Sequence, residues 1–130
     1  MSKNLDLYID QGADFVAVLP PVTDASGTVV DLSLYTAESQ IRRSYASKQA
    51  IQLVANVTDA GAGVITLSLD HGQTAGLNPL RYVYDVIITA QDATRIKVYD
   101  GLMIVNPGVT DKPNTTLLTP YVPDDYGGIA

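Results

Sequence analysis

Apolar residues along this chain recur every second position, in short runs separated by glycine, proline and aspartate, which is the signature of half-buried β-strands. The runs fall at 5–9, 15–19, 28–34, 37–45, 49–58, 64–69, 81–89 and 95–105. In the fourth, Ala37, Ser39, Ile41 and Tyr45 share one face and Glu38, Gln40 and Arg42 the other, as expected of an antiparallel strand with one solvated side. Ile51, Leu53, Ala55 and Val57 point inward in the next run, and Tyr82, Tyr84, Val86 and Ile88 share a face in what reads as a central strand. Taking one residue set per strand, the expected core contains Phe15, Ile41, Leu53, Ile65, Leu67, Tyr84, Val86 and Ile104.

Turn chemistry lies between the runs. Asp10-Gln11-Gly12-Ala13, Asp24-Ala25-Ser26-Gly27, Asp59-Ala60-Gly61-Ala62-Gly63 and Gln91-Asp92-Ala93 each supply an aspartate that can bond its own backbone, mostly with a glycine free to take positive φ. Pro20-Pro21 ends the second run, because proline cannot donate to a ladder. Asp100-Gly101 reads as a bulge within the last long strand. The single helical signal starts at Asp70, with Gln73 three positions on as in a capping box, and stops at Leu77-Asn78-Pro79.

Short strands at this spacing, with little helix, predict an all-β fold: an immunoglobulin-like antiparallel two-sheet sandwich over residues 1–110, with one short helix. A small jelly roll or barrel shares the same periodicity. Residues 111–130 break the pattern with Pro113, Pro120, Pro123 and the Gly127-Gly128 pair, and are expected to form an extended C-terminal docking arm. Its Leu117, Leu118, Tyr121, Val122, Tyr126 and Ile129 are too apolar for a solvated linker and are the candidate protein-interface residues.

Composition narrows the function. A chain of 130 residues holds one ordinary domain, and 46% apolar against 17% charged residues is a globular composition. Fourteen acidic against eight basic residues give a net charge of −6, which repels a phosphate backbone and argues against a nucleic-acid partner. No run approaches the about 20 apolar residues of a membrane span, and the first residues lack a signal peptide's apolar stretch, so the expectation is synthesis in a cytoplasm without a membrane partner. The absence of cysteine excludes disulfides, thiolate nucleophiles and cysteine-based zinc sites.

Candidate chemistry is sparse. The one histidine, His71, is crowded against Asp70 and Ser68 in sequence, whereas a catalytic triad draws its members from separated elements, so it reads as an exposed helix-start residue. Asp6, Asp10 and Asp14 lack the loop spacing of a calcium site and read as solvated turn carboxylates. Gly61-Ala62-Gly63 is too short for a phosphate loop. The sequence therefore predicts no enzyme, no catalytic residue, no metal and no cofactor. Eight tyrosines with no tryptophan suit protein contact, and Tyr8, Tyr121 and Tyr126 near the ends are interface candidates.

Leu7-Tyr8-Ile9-Asp10-Gln11-Gly12, Val30-Asp31-Leu32 and Tyr35-Thr36-Ala37-Glu38-Ser39-Gln40-Ile41-Arg42 occur in that order. Ile65-Thr66-Leu67-Ser68-Leu69, Arg81-Tyr82-Val83-Tyr84-Asp85-Val86 and Tyr99-Asp100-Gly101 follow. This succession resembles small virion structural proteins of contractile-tailed phages, notably cyanophages, and more loosely the immunoglobulin-like N-terminal domain of phage baseplate upper proteins. It covers roughly residues 5–110. The resemblance implies a non-enzymatic scaffold or adaptor of a tail, baseplate or neck, repeated in a symmetric virion and touching other virion structural proteins. A capsid decoration protein is the alternative within the virion. A host-surface glycan-binding module, reading sugar through residues 24–27 and 90–94, is the alternative outside that class.

Overall fold

The structure, a computed structural model, describes residues 2–110. It contains β1 (Lys3–Asn4), β2 (Leu7–Asp10), β3 (Phe15–Val18), β4 (Tyr35–Arg42), β5 (Ile51–Asp59), β6 (Val64–Leu69), α1 (His71–Ala75), β7 (Arg81–Ala90) and β8 (Arg95–Asn106). The hydrogen-bonded order is β1-β8-β7-β4-β5-β6-β3, with β2 following β1 along β8.

Strand β5 divides this path into two layers. Its first residues pair with β4, from Ile41↔Ile51 to Ser39↔Leu53. From Val54 onward it pairs with β6, and β3 closes the second layer beside β6. The strands turn their period-two apolar faces toward one another, and Ile41, Leu53, Ile65, Leu67, Val86 and Ile88 lose essentially all solvent contact between them. This is the immunoglobulin-like sandwich, short helix included. It also carries a tyrosine corner: the hydroxyl of Tyr82, buried at the start of β7, donates to the Asn78 carbonyl at 3.1 Å, just upstream.

One edge departs from an antiparallel scheme. β1 and β2 run parallel to β8, from Lys3↔Tyr99 to Asp10↔Asn106. The chain therefore starts its sandwich against its last described strand rather than against β3. Tyr84 holds the segment between β1 and β2, its hydroxyl donating 2.5 Å to the Leu5 carbonyl. Burial, then the nearby Asp100 and Asp6 charges, push the Tyr84 phenol well above the ordinary tyrosine range, so it stays a donor.

Seven of the eight expected core residues are buried; Ile104 is not. Register slips between Val86↔Tyr99 and Ile87↔Lys97, which leaves Val98 as the extra residue of a bulge. Val98 and Tyr99 are consequently both buried, and beyond them Met103 and Val105 face the core while Ile104 is only half-buried. The bulge thus lies before Asp100-Gly101, the pair that reads as its site in the sequence.

Two further expectations are corrected. Residues 28–34 form no strand; Thr23↔Val29 is an isolated bridge. Instead Val22 and Leu32 plug the end of the sandwich, with Val22 N–H donating to Gly63 and Leu32 N–H to Ala60. β4 ends at Arg42, and Tyr45 lies beyond it in the loop, 79% exposed rather than inward-facing. The arm at 111–130, with Leu117, Leu118, Tyr121, Val122, Tyr126 and Ile129, falls outside the described residues.

Candidate interaction surfaces

Asp70 caps α1 as its sequence foretells, accepting from Gln73 N–H at 2.7 Å while the Gln73 side chain accepts from Asp70 N–H at 3.0 Å. The cap presents His71 to the β2–β3 turn, where Asp14 Oδ1 receives the His71 backbone N–H at 2.7 Å and sits 2.9 Å from Nδ1. These bonds hold the Asp14 carboxyl below its ordinary range. The two side chains are about 70% exposed, so water competes for the pair. Ser68 lies elsewhere, on β6 opposite Val16 and Val54. The sequence neighbours His71, Asp70 and Ser68 are thus separated in role: a surface pair, a cap and a sheet residue.

At the same end, polar contacts tie the last described residues to α1 and the β2–β3 turn. Buried Thr74 of α1 donates to the Ala13 carbonyl at 2.8 Å and accepts from Gly12 N–H at 3.0 Å. Gln11 spans the gap between helix and C-terminal strand, its Nε2 donating to Leu77 at 2.8 Å and its Oε1 accepting from Gly108 N–H at 2.9 Å. Thr110 is thereby brought against Gly12, three residues before β3 begins.

The loops that a glycan-binding reading would use are occupied with themselves. Asp24 accepts from Ser26 Oγ at 2.7 Å and from Ser26 and Thr28 N–H at 2.9 and 3.0 Å; Asp92 accepts from Thr94 N–H at 3.0 Å. Both carboxyls are held low, first by the neighbouring hydroxyl and then by the backbone donors. A carboxylate already satisfied by its own turn has less to offer a sugar hydroxyl.

The outer face of β4, β7 and β8 forms a shallow groove of about 490 Å³. Its charges alternate in sign: Glu38 faces Arg95 at 3.5 Å and Lys97 faces Asp100 at 3.4 Å, with Arg42 and Asp85 between. Such a face is solvated and self-neutralising, and sets no single sign of charge for a ligand.

The outer face of β3, β5 and β6 is different in kind. Val16 lies across from Ser68 and Ser68 from Val54, while Val18, Thr66 and Asn56 form the next row. None of these six is charged, and Val16, Val18 and Val54 are 67%, 68% and 46% exposed. Among the described residues β3 is also the free end of the strand order. Its inward residue Leu19 bonds to Ile65, so in the antiparallel alternation Val16 and Val18 turn their own N–H and C=O groups to the open side. The opposite edge, at β1 and β2, carries Lys3, Asp6 and Asp10. Charges of that sort blunt an edge against pairing, and β3 has none. The sequence did contain this signal, as a run from Phe15 to Val18 without a charge on either face, but an uncharged four-residue strand reads equally as interior.

The fold class is thus an all-β immunoglobulin-like sandwich with a tyrosine corner and, among the described residues, one unprotected edge. No protein-family model matches the chain, and no curated protein matches it. Among solved structures, it is similar to the internalin-like protein lmo2027 of Listeria monocytogenes, with 17% identity and a TM-score of 0.42 over 81% of this chain and 30% of that one. It is also similar to the PKD domain of the KIAA 1837 protein, with 11% identity and a TM-score of 0.31 over 86% of each chain. This chain spans about a third of the internalin-like protein's length, and neither likeness bears on function.

Proposed function

We propose that this protein is a non-enzymatic structural adaptor of a phage virion, seated in the tail, baseplate or neck and docked to neighbouring subunits through its termini. The observation that carries the reading is the uncharged face at Val16, Val18 and Val54 with the β3 edge open among the described residues, near Thr110, the last of them. An exposed, unblunted edge is a liability for a free monomer and a docking surface for a subunit. The order of strand motifs described for residues 5–110 supports the virion assignment, and the net charge of −6 supports protein rather than nucleic acid as partner. Among the described residues no helix is long and apolar enough to cross a membrane.

The partners are other virion structural proteins, and the protein is assembled with them in the host cytoplasm in several copies. The test is peptide counting by mass spectrometry on purified particles, referred to the major capsid protein. A low copy number matching the rotational symmetry of a tail is expected. A number rivalling the capsid protein would make it a decoration protein, and absence from particles would overturn the reading.

A further inference from the structure

Positive charge gathers in one place on this acidic protein. No Asp or Glu occurs between Glu38 and Asp59 or between Asp70 and Asp85, and the fold brings these two stretches together. Four of the chain's eight Lys and Arg residues fall within them: Arg42, Arg43, Lys48 and Arg81. Between the β4–β5 loop and the connection from α1 to β7 lies a cleft of about 640 Å³, with Ile41, Ile51, Leu77, Leu80 and Tyr82 along it. Among the described residues no carboxylate lines it, and Ile51 and Leu80 are part-exposed there, at 37% and 41%.

The cations are positioned but not neutralised. Arg43 lies over the Tyr82 ring at 5.5 Å and donates to the Arg81 carbonyl. Arg42 donates to the Ser47 carbonyl at 2.6 Å and to the Gln40 side chain at 3.1 Å. Each of these acceptors is neutral, and among the described residues the ion pairs are those of His71, Arg95 and Lys97. Two fixed guanidinium groups and the exposed Lys48 and Arg81 thus meet without a counter-charge. On the outer face of β4, β7 and β8, by contrast, Arg95 and Lys97 each have one.

We infer that this cleft binds an acidic segment of a partner protein, its carboxylates on Arg43, Lys48 and Arg81 and an apolar side chain between Ile51 and Leu80. Charge complementarity selects that occupant. Carboxylates spaced along a peptide leave room for apolar side chains between them, which is what a basic rim over an apolar floor accommodates. A nucleic-acid backbone would instead bring an unbroken row of charges to a protein that carries −6 overall. The contact is separate from the β3 edge and does not depend on the virion assignment.

The probe is a fluorescent peptide of glutamates flanking a single leucine, titrated with full-length protein and read by anisotropy. Saturable binding is expected, tighter at low salt, lost when the glutamates are replaced by glutamine and weakened when the leucine is replaced by serine. Lys48→Glu with Arg81→Glu should weaken it about tenfold or more, whereas Lys3→Glu with Lys97→Glu, an equal change of net charge at other exposed positions, should not. Should the first pair fail to fold, amide shifts of the unaltered protein at Ser47, Gln49 and Leu80 on adding the peptide locate the contact without a variant. Equal losses in the two pairs, equal binding of the glutamine peptide, or amide shifts confined to other loops overturns the inference. So does tighter binding of a single-stranded DNA oligonucleotide.

Discussion

The backbone of Gly101 in β8 lies directly under that of Leu5, and a Cβ on Gly101 would overlap the Leu5 carbonyl oxygen. With φ at +154° the position also suits a residue without a side chain. That closeness lets the segment joining β1 to β2 pack against β8, where Leu5 N–H donates to the Asp100 carbonyl at 2.8 Å and Tyr84 donates to the Leu5 carbonyl. Gly101→Ala should therefore cost about 1–3 kcal/mol or more by overpacking. Equilibrium urea unfolding measures it, and protection of the Leu5 amide in hydrogen exchange should fall first, before that of Leu67.

The bulge at Val98 sets which residues of β8 support the core. Met103→Ala should cost about 2–5 kcal/mol, as should Leu67→Ala, because each empties a site with no solvent contact. Ile104→Ala removes a half-buried side chain and should cost clearly less. Equal losses at 103 and 104, measured by denaturant midpoint, would contradict the register.

The strand periods were legible in the sequence because most strands keep strict alternation: β6 is bounded by Val64 and Leu69 in both readings, and the capping box at Asp70 is local chemistry. The errors have a common physical source, which is that tertiary contacts overrode local pattern. A bulge changes parity without requiring a special residue, so nothing around Val98 announces it, whereas Gly101 looks like a bulge and instead answers the close approach of Leu5, far away in sequence. Val29, Val30 and Leu32 are strand-formers, but Asp31 accepts from Ser33 N–H at 2.9 Å in a local turn and Leu32 is needed as a plug. The open edge at β3 depends on β1 and β2 having gone to β8, a choice that periodicity does not encode.

Asp14, Asp24, Asp31 and Asp92 all have carboxyls held below their ordinary value of 3.8 by hydrogen bonds from a neighbouring side chain and backbone amides. A depressed folded-state pKa means the unfolded chain binds the proton more readily, so the stabilisation is present above the unfolded value and lost as pH falls through the folded one. The melting temperature should hold steady down to about pH 5 and then decline toward pH 2. Asp24→Asn with Asp31→Asn should flatten that decline. A profile identical to that of the parent would show that these turns do not set the acid limit.

The segment at 111–130 should be dispensable for folding and required for assembly. Among the described residues the buried core runs from Ile9 to Val105, and the Gln11 bonds to Leu77 and Gly108 close its end before Thr110, so a chain cut after Thr110 keeps every one of those contacts. Pro113, Pro120 and Pro123 each lack a backbone donor, so no regular interior strand can run through any of the three. Docking Leu117, Leu118, Tyr121, Val122, Tyr126 and Ile129 on another subunit would remove apolar surface from water. Deleting residues 111–130 should leave the melting temperature of dilute protein nearly unchanged while abolishing incorporation into particles, read by mass spectrometry of purified virions. A large fall in melting temperature would instead place those six side chains on their own sandwich, and undiminished incorporation would assign the docking to the sandwich face alone.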